Sequence, residues 1–106
     1  MAKYLIRASY TATGTKGLLK EGGTARRAAV EKAIQGLGGT LEAFYFSFGE
    51  ADVVGIIDFP DPTAAAAFSL QVNATGVVQL STTPLIEPDA MDKASKKSVK
   101  YRPPRG

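Results

Sequence analysis

Residues 41–59 read LEAFYFSFGEADVVGIIDF, two β-forming runs separated by Gly49-Glu50-Ala51. Alternation and the density of aromatic and β-branched residues predict strands at 41–48 and 52–59, and the short connection makes them a hairpin. With the turn on Glu50-Ala51, Phe48 faces Val53, Phe46 faces Gly55 and Phe44 faces Ile57, Phe59 extending the same side. That side calls for cover by helices, and Gly55 opposite Phe46 reads as room for a ring. The other side carries Ala43, Tyr45, Ser47, Val54, Ile56 and Asp58.

Towards the N-terminus, residues 3–10, KYLIRASY, alternate as a first strand. It is expected to add Lys3, Leu5, Arg7 and Ser9 to the mixed face, the opposite set (Tyr4, Ile6, Ala8, Tyr10) being the alternative. Thr11 to Gly23 carries four glycines and reads as a loop with at most one or two helical turns. Thr24 is a candidate N-cap for a helix from Ala25 to Leu37, with Val30, Ala33, Ile34 and Leu37 on one stripe and Gly38-Gly39 as its stop.

Beyond the hairpin, Asp61 can cap and Pro62 fits the first position of an alanine-rich helix running from Thr63 to about Thr75. Gly76 ends it, and residues 77–83, VVQLSTT, form a fourth strand stopped by Pro84. The order is β-α-β-β-α-β. With right-handed crossovers it predicts an α+β fold, the ferredoxin-like sandwich: a four-stranded antiparallel sheet with two helices on one face. Residues 1–86 are expected to form this single domain. Residues 87–106 are expected to supply a short helix around Asp89 to Lys97 and a mobile basic tail ending in YRPPRG.

The chain has 106 residues, enough for one core without staples. It contains no cysteine and no histidine, so disulfides, thiolate metal sites, imidazole ligands and the Ser-His-Asp triad are excluded. No metal and no cofactor are expected. The N-terminal segment lacks the apolar run of a signal peptide, and no stretch approaches the roughly 20 apolar residues of a membrane span, so the expectation is a cytoplasmic protein. The net charge of +3 lies wholly after residue 86: seven Lys/Arg and seven Asp/Glu cancel before it, and six Lys/Arg meet three acids after it.

Four strands of about six residues present a face of roughly 400 Å², near the largest apolar patch of a typical monomer. Its mixed composition predicts a homodimer or higher oligomer, sheet against sheet, with a cleft between the copies. The alternative is a half-apolar face left open to water.

Residues 39–61, with Tyr4, Tyr10-Thr11, Gly14 and Gly76-Val77-Val78-Gln79-Leu80-Ser81-Thr82-Thr83, resemble the GYD-domain family of small bacterial proteins. The likeness spans most of residues 4–85, and Glu87 to Lys97 is similar to that family's usual ending. It implies the dimeric α+β barrel type of assembly and no established activity. Gly49 and Asp52 match the Gly-x-Tyr-Asp signature, whereas Ala51 stands at the tyrosine position.

The candidate ligand-binding residues are Arg7, Tyr45, Asp52 and Asp58. Tyr45 and Asp52 on one side of the hairpin can serve as hydrogen-bond donor and as anionic partner or base. The favoured alternative has Tyr45 packing at the dimer contact and Asp52 capping the turn. Arg7 and Asp58 can pair in the cleft, or Arg7 can hold an anion; a surface salt bridge is the favoured reading. The glycines of 14–23 fit no phosphate-binding fingerprint and read as a flexible loop over the cleft mouth. The third strand, DVVGIIDF, has no Lys/Arg-Gly-Phe-like run of the kind RNA-recognition domains carry, and the tail has one aromatic, Tyr101. The leading expectation is a homo-oligomeric small-molecule-binding or scaffolding domain. A cofactor-free enzyme in the cleft and a nucleic-acid-associated protein acting through the tail are the alternatives.

Overall fold

A computed structural model describes residues 2–105. The elements are β1 (Ala2–Tyr10), α1 (Ala12–Glu21), α2 (Gly23–Gly36), β2 (Thr40–Phe46), β3 (Val53–Phe59), α3 (Pro62–Ala74), β4 (Val78–Leu85) and α4 (Pro88–Ser95). They make an α+β fold with one four-stranded antiparallel sheet in the order β2-β3-β1-β4.

The sheet's inner face is built by alternation. Tyr4, Ile6 and Ala8 on β1 and Val53, Ile57 and Phe59 on β3 are buried. Tyr4, Ile6, Ile57 and Phe59 form one cluster with Ile34 of α2 and Ala64, Ala65 and Phe68 of α3, and no charged or polar residue is buried among the described residues. Phe59 sits at the centre, with Tyr4 and Phe68 ring centroids 5.9 and 5.8 Å away. Lys3, Leu5, Arg7 and Ser9 therefore occupy the outer face, the preferred assignment.

A β-bulge decides what β2 contributes. Leu41 pairs with Ile57 and Ala43 with Ile56, so Glu42 is the extra residue. The bulge breaks the alternation, placing Leu41 and Phe44 on the inner face and Ala43 and Tyr45 on the outer one. Without it Leu41, which is buried, would share the outer face with Ala43.

The hairpin corrects the expected register. Phe46 pairs with Val53 and Phe44 with Gly55, two residues from the predicted pairing. The loop is longer than three residues because the Ser47 amide donates to the Asp52 carbonyl and the Ser47 hydroxyl to the Ala51 carbonyl. Phe48 is thereby lifted out of the sheet and fully exposed rather than lying under the helices. Gly55 makes room for the Ala43 carbonyl oxygen, which an added Cβ would meet at 2.7 Å, and not for the ring of Phe46.

Residues 12–21 form a helix of ten residues, not a glycine loop. Thr11 caps it, its hydroxyl accepting from the Gly14 amide and donating to the Val77 carbonyl; Gly22, at φ 86°, ends it and opens α2 two residues before the expected cap Thr24. In α3 the Asp61 carboxylate accepts from the Ala64 amide at 2.8 Å, with Pro62 in the first turn, as read from sequence. Pro84 does not stop β4, which runs on to Leu85. As an edge strand β4 tolerates a residue without an amide proton. The C-terminal helix falls at Pro88–Ser95, and residues 98–105 carry no regular structure and are exposed. No helix among the described residues is long and apolar enough to cross a membrane.

Candidate functional site

The face turned away from the helices carries one row of four side chains, one from each strand. Tyr45 pairs with Val54, Val54 with Arg7, and Arg7 with Ser81. At strand spacings near 4.8 Å, Arg7 and Tyr45 lie roughly 10 Å apart on one level. Tyr45 is 70% exposed. Leu5, Val54 and Ile56 are half-buried, each covered on the sheet side only.

A concavity of about 560 Å³ opens on this face; Arg7, Ser9, Val54, Gln79 and Ser81 line it, together with Glu50 of the hairpin loop, which brings a carboxylate to its edge. The hairpin loop folds over its end, where the Ser9 hydroxyl donates to the Glu50 carbonyl at 3.4 Å. Among the described residues no carboxylate forms an ion pair with Arg7. A planar guanidinium beside hydroxyl and amide side chains, with Val54 at its flank, is suited to hold a small carboxylate or phosphate.

The other candidates lie elsewhere. Asp58 does not pair with Arg7. In the β1–β3 register it stands opposite Lys3, four residues from Arg7 along β1, and its Oδ2 lies 3.7 Å from Lys3 Nζ. Lys3 Nζ also donates to Glu42 Oε1 at 2.6 Å, so the bulged residue and Asp58 share one ammonium. Hydrogen bonding to Glu42 holds the Lys3 pKa above its ordinary value, with further attraction from Asp58 and Glu87. Asp58 Oδ1 is buried without a hydrogen-bond partner.

Asp52 does not join Tyr45 on the outer face, and neither residue lines the open concavity. Its Oδ2 accepts the Tyr10 amide at 2.8 Å, and it lines a separate hollow with Tyr10, Thr15, Gly23 and Phe46 beside α1. Here the bland reading of a turn aspartate is closer to the geometry. Of the four candidates, then, the structure brings Arg7 and Tyr45 into one row and sets Asp52 and Asp58 at opposite ends of the sheet.

Sequence reasoning passed over Gln79 and Ser81, which complete the concavity, and the Lys3–Glu42 pair. The strand alternation that placed Arg7 also placed Lys3; the missing signal was the bulge at Glu42.

Comparison with known proteins agrees with the motif at residues 39–61. Among curated proteins none matches the chain. The family model described as GYD domain matches residues 4–95, most of the chain. On that match, the chain belongs to the GYD-domain family.

Proposed function

We propose that this chain acts as a homo-oligomeric binding domain: a ferredoxin-like sandwich of the dimeric α+β barrel type, in which two outer sheet faces meet and enclose a cleft. The observation that carries the reading is the row Tyr45–Val54–Arg7–Ser81 together with Leu5 and Ile56, a largely apolar strip whose cation, Arg7, forms no ion pair among the described residues. The strand order β2-β3-β1-β4, with the core packed between α2, α3 and the opposite face, supports it.

A lone monomer would leave Tyr45, Val54 and Ile56 in contact with water, each losing the transfer energy of its apolar area. A sheet face of roughly 400 Å² is half of the roughly 800 Å² that each partner gives to a standard interface. The exposed Leu85, Ile86 and Met91 of the C-terminal segment offer the additional area. The cleft would then hold a small anionic molecule through Arg7, with Ser9, Gln79 and Ser81 as neutral hydrogen-bonding groups.

Size-exclusion chromatography with light scattering tests the assembly. The expected mass is at least twice the 11.1 kDa of one chain at micromolar concentration. A strict monomer under those conditions ends the proposal.

A further inference from the structure

The space between the helices and the inner sheet face is not filled throughout. A cavity of about 160 Å³ lies there, walled by Val30 of α2, by Phe68 and Val72 of α3, and by Val53 and Leu80 of the sheet. Three polar side chains reach it: Tyr10, Arg26 and Thr75. It is on the opposite side of the sheet from the proposed cleft, so it stands whether or not that cleft exists.

We propose that this cavity binds one benzene-sized ring carrying a single polar or anionic substituent, the ring against Phe68, Val72 and Val53 and the substituent towards Tyr10 and Arg26. Size sets the first half of the assignment. Native interiors are packed to crystal density, and an enclosed apolar cavity of about 150 Å³ takes up benzene rather than water; this hollow has a similar volume and opens to solvent at the exposed Thr75, which gives a ring a way in. The residues at Ala8, Val53 and Val72 are small where a leucine or phenylalanine would close the space, and all three line it.

The polar groups set the second half. Burial pushes the Tyr10 phenol above its ordinary value, so at neutral pH it is an uncharged hydrogen-bond donor. Arg26 bonds Glu21 through Nη1 at 3.3 Å and makes no other side-chain hydrogen bond among the described residues. Its remaining donors are available to a carboxylate or phenolate. A nucleotide or an acyl chain exceeds the volume; a phenol or a benzoate matches it in size, the first offering a polar and the second an anionic substituent.

Amide and methyl NMR titration of the full chain with benzene, phenol and benzoate tests this. Saturable shifts confined to residues around Val30, Phe68, Val72 and Val53 are expected, with phenol and benzoate binding more tightly than benzene. Val72→Phe and Ala8→Leu each fill the cavity and should abolish all three; if one variant fails to fold, the other decides. Arg26→Gln should weaken benzoate about tenfold and leave benzene unchanged, whereas Glu21→Gln should not weaken benzoate. Absence of saturable shifts at millimolar probe, or unchanged binding in a folded filled variant, overturns the site. Benzene binding without a preference for the substituted rings overturns the role of Tyr10 and Arg26.

Discussion

The Asp52 carboxylate accepts the backbone amide of Tyr10 at 2.8 Å while the Asp52 amide donates to the Ala8 carbonyl, so one residue ties the hairpin mouth to the end of β1. The bond is part-buried and closes the last rung before the chain turns into α1. Asp52→Ala leaves the Tyr10 amide unpaired, at a cost of about 1–3 kcal/mol. Asp52→Asn keeps an acceptor and should cost less than about 1 kcal/mol. Urea unfolding of both variants checks this; an unchanged midpoint in Asp52→Ala would mean the latch contributes nothing.

Val54 stands between Tyr45 and Arg7 in the middle of the outer face. A lysine there places two cations side by side and puts an ammonium where the second sheet is expected. Val54→Lys should convert the assembly to monomers while the circular dichroism spectrum stays native, because the side chain is outside the core. Should the variant elute with the wild type, contact between the copies must run through another surface.

Much of this arrangement was legible in the sequence, for identifiable reasons. Asp61-Pro62 marked the start of α3 because the cap and the proline act locally. The faces of the central hairpin survived a wrong register because the error was two residues, an even number; a slip of one would have inverted them. What was not legible depended on distant groups. No apolar stripe announces α1, which buries no residue, and Gly14 and Gly17 lower its intrinsic propensity. It is held instead by Thr11 reaching the carbonyl of Val77, sixty-six positions away. The bulge at Glu42, and with it the charge cluster at Lys3, likewise follows from strand pairing. For the candidate site, parity identified Arg7 and Tyr45, whereas Asp52 followed its local hydrogen bonds.

Glycine substitutions separate close packing from mere breaks in propensity. A Cβ at Gly55 would lie 2.7 Å from the Ala43 carbonyl oxygen and 3.3 Å from Ile6 Cδ1, so β2 or β1 must shift. Gly55→Ala is expected to cost about 1–3 kcal/mol. A Cβ at Gly17 meets nothing within 4 Å inside α1, and Gly17→Ala should stabilise by about 0.5–1 kcal/mol. Thermal melts of the two variants should move in opposite directions. Equal shifts would contradict the packing at the bulge.

Alkaline pH should destabilise the fold through two groups whose pKa values are raised. Tyr10 is raised above 10.0 mainly by burial, with Asp52 and Glu21 adding to it and Arg26 opposing. Lys3 is raised above 10.5, first by its hydrogen bond to Glu42 and then by the charges of Glu42, Asp58 and Glu87, against partial desolvation. In both cases the folded state keeps its proton where the unfolded chain has lost it. Their contribution is therefore complete below the unfolded values and is lost as pH climbs through the folded ones. Urea unfolding from about pH 8 to about pH 12 should show a decline that begins near pH 10. Tyr10→Phe removes one ionising group, and its curve should fall less steeply than that of the wild type; parallel curves would exclude Tyr10 as a source of the slope. Lys3→Gln removes the other, and the exposure of that ammonium makes its share dependent on ionic strength.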